Sequence, residues 1–285
     1  MNSRIERIIF MMSLLLSAQC SAIDIQALPF FKASISGRIE ANDTQKLATF
    51  LKKQKSPITI LVLDSPGGNV DEAIRLGELI KFAMIGTEIQ SEKICTSSCF
   101  FVFLAGSDRS ASPSRLMQPG ELEQLYAAAR KVGVTRKVEV PGFVGLHRPF
   151  YIETAIIEKY QNSMMEHVSL YLKKQMISAR LIDVMMTHPS NDIYWLSESD
   201  LKEIGSYPPQ QEEVFIQRCG YDRNANEKQI QAIEQGRTAK ADEIFERQLQ
   251  ANMCIQKLKE KLAIGALEKI RSGWLPPISR IATVN

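Results

Sequence analysis

From Ile58 the chain runs Ile-Thr-Ile-Leu-Val-Leu before Asp64, a continuous apolar stretch rich in β-branched residues and bounded by Pro57. That pattern predicts a strand buried on both faces. It stops at Ser65-Pro66-Gly67-Gly68, a sequence no strand or helix interior tolerates, and Val70 to Phe82 then resumes at helical spacing. Strand, tight glycine turn and helix are therefore expected in order. The helix would bury Ala73, Ile74, Gly77, Ile80 and the stem of Lys81.

Upstream, Phe31 to Ile39 roughly alternates and predicts a first strand, and Asn42 or Asp43 can cap a helix through Leu47, Phe50 and Leu51. Downstream, Thr87 to Gln90 is a short strand candidate. Lys93 to Gly106 predicts a turn and then a core helix starting near Ser97, since Phe100 to Ala105 is apolar all round. Strands and helices alternating in this rhythm predict a parallel α/β sheet with right-handed crossovers.

The pattern breaks at residues 107–141, which hold a loop and a charged helical stretch from Gly120 to Val132. Phe143 to His147 predicts a buried strand ending at the histidine. A long amphipathic helix is expected from Ile152 to about Gln175, and a shorter one over Ser178 to Thr187. Pro189 to Leu196 predicts a turn into a strand. A helix with a Ser-x-x-Asp start follows from Ser197 to Ile204, closed by Gly205. Beyond Pro208-Pro209 the chain is polar and helical, with Ile244, Ala251, Ile255, Leu258 and Leu262 on one face.

The N-terminus changes the picture of where the chain works. Arg4 and Arg7 precede an apolar run from Ile8 to Ala18, and small residues follow at Ala18, Cys20, Ser21 and Ala22. This is the layout of an export signal cleaved near Ala22, with Cys20 as the other candidate position. No segment of the mature chain has the composition of a membrane span. The expected organisation is a signal peptide at 1–22, an α/β domain at 23–207 with an insertion at 107–141, and a helical extension at 208–285. The formal charge of the 285-residue chain is +3, with no basic stripe interleaved with aromatics, so nucleic acid is not an expected partner.

Export to an oxidising compartment, the periplasm, would pair the four remaining cysteines. Of the three connectivities, spacing favours Cys95–Cys99 with Cys219–Cys254; four buried free thiols are the alternative. A Cys219–Cys254 bridge would contribute roughly 3–4 kcal/mol in the chain-entropy picture.

Four motifs in order carry a resemblance: Asp64-Ser-Pro-Gly-Gly68 before a helix; Cys95-Thr-Ser-Ser-Cys99 leading into Phe-Leu-Ala-Gly106; Gly145-Leu-His-Arg-Pro149; and Asn191-Asp-Ile-Tyr-Trp-Leu-Ser197 leading to Ile204-Gly205. Over about residues 31–207 the chain resembles the Clp protease proteolytic-subunit (ClpP) superfamily, in particular exported bacterial ClpP-like proteins. That superfamily shares a spiral α/β fold with the crotonases. The resemblance implies Ser97 as nucleophile, His147 as general base and Asp192 as its orienter. It also implies an oxyanion hole from the N–H groups of Gly68 and Ser98, with Gly67 shaping the turn. The residue types suit that chemistry, because a serine hydroxyl needs a base to take its proton and a carboxylate on the far nitrogen fixes the imidazole tautomer.

Register counted back from Gly106 favours Ser97, with Ser98 the alternative nucleophile. Taken singly, Ser97 is also a good helix cap, Gly67-Gly68 a plain turn and His147 an ordinary core histidine. Asp183 and Asp200 are alternatives to Asp192, although their helical positions suit solvent or capping. His167 is expected on a helix surface and His188 at a helix C-terminus. The stretch between Ser97 and His147 is longer than in the cytosolic family, which makes residues 107–141 a candidate lid. No cofactor and no metal are implied. Peptide or protein substrates are, and a homo-oligomer is possible, whereas an ATP-driven unfoldase is not expected outside the cytoplasm. The competing expectations are a catalytically inactive scaffold that binds peptides or proteins, and crotonase-like acyl-CoA chemistry, which would not need the Ser/His/Asp set.

Overall fold

The computed structural model describes residues 23–111, 143–150 and 157–276. The expected export signal at 1–22 and the charged helix expected at 120–132 lie outside them.

Two sheets form. The larger has the order β1 (Asp24–Leu28), β2 (Lys32–Ser36), β3 (Ile60–Asp64), β4 (Gly86–Ile89) and β6 (Arg109–Ala111). From β2 to β6 the neighbours are parallel; β1 is antiparallel to β2. The smaller sheet holds β5 (Ile94–Thr96), β7 (Phe143–Leu146) and β8 (Tyr194–Trp195). A bridge between Ser65 and Cys95 joins the two sheets where β3 ends. This is the α/β architecture expected from the pattern, with antiparallel pairs at β1–β2 and β7–β8 beside the expected parallel ones.

β3 is buried along its centre, as a two-sided apolar run requires. Helix α1 (Asp43–Lys53) precedes it and α2 (Val70–Phe82) follows the glycine turn. Leu76 and Leu79 join Ala73, Ile74, Gly77 and Ile80 in the core, so α2 buries a wider stripe than its spacing suggested. Helix α3 (Cys99–Leu104) is buried on every side; α4 (Ile157–Lys174) buries Val168, Tyr171 and Leu172, and the Tyr171 hydroxyl donates to the Phe101 carbonyl at 3.1 Å. Three short strands escaped the pattern, among them β6, which falls in a stretch expected to be a loop. β1 alternates weakly and forms only as the partner of β2; β5 is three residues long and exists because β7 pairs with it.

The β1–β2 hairpin turns at Pro29–Lys32, with Phe30 and Phe31 both at φ 60°. This mirror-image turn matches strand twist, and Asn or Gly normally supplies it.

Helices α5 (Ala179–Thr187) and α6 (Glu198–Ile204) carry the predicted ends: Ser178 caps α5, and Ser197 with Asp200 forms a reciprocal capping box on α6. The buried Arg109 guanidinium donates 3.2 Å to the Ile204 carbonyl at the end of α6 and 2.5 Å to the Leu104 carbonyl at the end of α3. Two helix C-termini thus face one cation, the sign their dipoles favour. Burial lowers its pKa to about 10, so it stays charged at neutral pH.

The extension forms α7 (Pro209–Cys219), α8 (Ala225–Glu234) and α9 (Thr238–Arg271). Ala251 and Ile255 are buried as expected, but Leu262 is exposed, and Ala263, Ala266, Leu267 and Ile270 take over the packing face. The stripe shifts as the support of the helix changes from α8 to the α/β core. Ile270 belongs to the main core cluster. Among the described residues no helix is long and apolar enough to cross a membrane.

Candidate active site

β3, β5 and β7 bring the singled-out residues to one place. Asp64 ends β3, and its carboxylate accepts a 2.8 Å hydrogen bond from Lys93 Nζ just before β5. Ser65 N–H donates to the Ile94 carbonyl at 2.8 Å, and Thr96 N–H returns a 3.1 Å bond to the Ser65 carbonyl. The glycine turn is thereby pressed onto the strand that leads to Ser97. A Cβ on Gly67 would lie 2.6 Å from the Thr96 carbonyl oxygen and 2.7 Å from Ser97 Cβ. A Cβ on Gly68 would lie 2.1 Å from the Ile39 carbonyl oxygen. No side chain fits at either position, and φ is 90° at Gly67 and 149° at Gly68.

Ser97 lies between β5 and α3 with φ 56°, in the left-handed region that a non-glycine residue seldom adopts. Its N–H donates to the Gly145 carbonyl on β7 at 3.0 Å, and its carbonyl accepts from Phe100 N–H at 3.0 Å. These two bonds hold the residue in its sharp strand-to-helix turn. Its side chain is half-buried, whereas Ser98 is 1% exposed and its hydroxyl has no hydrogen-bond partner among the described residues. The buried Cys95–Cys99 disulfide, Cα–Cα 5.2 Å, closes a ring with Ser97 at its centre. Cys219 and Cys254 are likewise bonded, the pairing expected from spacing. Among the described residues, neither Gly68 N–H nor Ser98 N–H has a hydrogen-bond partner, and a Gly67 Cβ would lie 2.9 Å from Ser98 N.

His147 follows β7 directly. Thr96 pairs with Gly145 in parallel register, so Ser97 and His147 leave adjacent strands at the same edge. The imidazole is 8% exposed and packs at 5.7 Å between centroids against Phe150. Its Nδ1 lies 2.9 Å from the Arg148 carbonyl oxygen. A carbonyl only accepts, so in the neutral ring Nδ1 carries the hydrogen and Nε2 presents its lone pair. No hydrogen bond joins the Ser97 hydroxyl to this ring.

Asp192 makes no hydrogen bond to His147. Its side chain is 70% exposed, with one carboxylate oxygen 3.2 Å from His188 Nε2. The other oxygen accepts from Ile193 N–H at 2.8 Å. The reason is local: Asp192 lies in the tight turn after α5, four residues beyond His188, which caps that helix. His188 also bears on the base indirectly, since its carbonyl accepts from Arg148 N–H at 3.2 Å. The partner of His147 is therefore a main-chain carbonyl, which no side-chain pattern could reveal. Of the alternatives, Asp183 is exposed on α5, and the Asp200 carboxylate caps α6. Most of the 107–141 insertion lies outside the described residues; Arg109–Ala111 within it is a strand of the main sheet.

No family model and no characterised protein matches the sequence. Among solved structures, the chain is similar to ClpP1 from Listeria monocytogenes, at 17% identity and TM-score 0.39, over 61% of this chain and 87% of that one. It is similar to a membrane-bound stomatin-specific protease at 14% identity and TM-score 0.37, over 66% and 83%. It is similar to an enoyl-CoA hydratase from Bacillus anthracis at 12% identity and TM-score 0.37, over 90% and 98%. Proteases and hydratases thus both occur among its neighbours.

Proposed function

We propose that this chain is an exported serine hydrolase of ClpP-like type that cleaves peptides through an acyl-enzyme. The observation that carries the reading is the strained Ser97, half-exposed between a strand and a helix, with a histidine of fixed tautomer leaving the neighbouring strand. In the proposed reaction His147 Nε2 takes the Ser97 hydroxyl proton as Oγ attacks the substrate carbonyl. The N–H groups of Gly68 and Ser98, unpartnered among the described residues, receive the developing oxyanion. The imidazolium then protonates the leaving amine, and water, deprotonated by the same nitrogen, releases the acyl group. Throughout, the Arg148 carbonyl holds Nδ1–H, the role the resemblance assigned to Asp192.

A fluorophosphonate probe tests this directly. It should label the oxidised wild type and Ser98→Ala but not Ser97→Ala. Labelling of Ser97→Ala, or none of the wild type, overturns the assignment.

A second reading is an inactive scaffold that binds peptides or proteins. It draws on two observations: the Ser97 hydroxyl makes no hydrogen bond to the imidazole, and the Asp192 carboxylate faces His188. Absence of labelling in both oxidised and reduced folded protein would favour it.

A further inference from the structure

The end of the sheet remote from Ser97 carries a feature that no part of the proposed chemistry uses. Phe30 is 87% exposed and Phe31 60% exposed, side by side at the tip of the β1–β2 hairpin. The rings contribute nothing to the core, and the turn would form with less strain from Asn and Gly. Two carbonyls of the tip backbone are tied down. Pro29 has no N–H, its carbonyl accepts from Lys32 N–H at 3.4 Å, and the Phe31 carbonyl accepts from Thr59 N–H at 2.8 Å.

A basic rim adjoins it. Thr59 leads back through Pro57 to Lys55 and Lys53, both exposed. Arg271 of α9 is exposed and donates to the Gln54 and Lys55 carbonyls. Just beyond it Trp274 is 43% exposed, packed on Phe82 with Lys269 Nζ 5.8 Å above its ring. Glu268 is the acidic neighbour on the same turn of α9. Exposed aromatic rings at the tip and a rim of cations are what an anionic bilayer surface accepts: rings settle at headgroup depth, and basic side chains meet lipid phosphates.

We propose that this pole is a membrane-docking face, in which Phe30 and Phe31 enter the headgroup layer of an anionic bilayer while Lys53, Lys55, Lys269 and Arg271 rest on it. Docked so, the molecule turns the Ser97 end of β3 away from the lipid. The proposal stands independently of the hydrolase reading.

The test is sedimentation of the exported, processed protein with vesicles of phosphatidylcholine alone and of phosphatidylcholine with an equal part of phosphatidylglycerol. The wild type should bind the anionic vesicles at least about tenfold more tightly than the neutral ones, and less tightly as salt rises. Phe30→Asn with Phe31→Gly, which keeps the turn geometry, should lose about tenfold or more of that binding, and Lys53→Gln with Lys55→Gln a smaller part. Trp274 emission should shift to the blue on docking. Equal binding of the wild type and the Phe30/Phe31 variant overturns the proposal. So does no wild-type binding, or a wild-type dimer that the same variant converts to monomer.

Discussion

Asp192 and the Arg148 carbonyl make rival claims on His147 that a substitution can separate. If the carbonyl alone orients the ring, Asp192→Asn should change the rate of fluorophosphonate labelling by less than about tenfold. A triad carboxylate replaced by its amide costs on the order of 10⁴ in rate. A loss of that size would mean that Asp192 swings from His188 to His147 during turnover. Gly68 allows a second residue-scale expectation. A Cβ there would meet the Ile39 carbonyl oxygen at 2.1 Å, so backbone must move. Gly68→Ala should abolish labelling and lower the melting temperature; a variant of native stability and full labelling would show that the turn tolerates displacement.

At the scale of elements, the Cys95–Cys99 ring governs how firmly β5, Ser97 and α3 are joined. Reduction frees a short loop, worth about 2 kcal/mol in the chain-entropy picture, and removes the constraint on the positive φ of Ser97. Labelling should fall under reductant and return on reoxidation, while Cys219→Ala with Cys254→Ala leaves it unchanged. If reduction leaves the labelling rate untouched, the ring has no part in shaping the turn.

Helix α6 carries the clearest pH dependence. Burial raises the Asp200 carboxyl pKa, but the Ser197 N–H, Arg180, the Ser197 hydroxyl and Tyr194 outweigh it and hold it below the ordinary value. Because the folded value is the lower one, its stabilisation is complete above about pH 4, the unfolded carboxylate range. It is lost as pH falls through the folded value. Urea unfolding should therefore show a stability decrease below about pH 4 that is smaller in Asp200→Asn. At neutral pH that variant should lose about 1 kcal/mol from the weakened cap.

For the whole molecule, the question is how the extension belongs to the α/β core. Lys259 of α9 is buried and pairs with Asp108 beside β6, and Ile270 is buried among core residues. Ile270→Ala should destabilise the protein by roughly 2–5 kcal/mol in a single cooperative transition. A cost below about 1 kcal/mol, or an extension that melts separately, would show that α9 merely leans on the surface. The same packing places Arg271 and Trp274 near the hairpin tip, at the end of β3 opposite the glycine turn.

What the sequence by itself determined are features with a local cause. A run of β-branched residues made β3, Ser-Pro-Gly-Gly made the turn, helical spacing made α2, and Ser-x-x-Asp made the start of α6. Cysteine spacing also foresaw both disulfides. Tertiary structure decided whatever depends on a distant partner. β1 and β5 exist because β2 and β7 pair with them, and α9 shifts its buried face where its support changes. At the candidate site, register brought Ser97 and His147 to one edge, which the order of motifs could anticipate. The acceptor on the imidazole is a main-chain carbonyl, and the expected aspartate turns to His188, because backbone atoms are the same in every residue and leave no mark in a sequence.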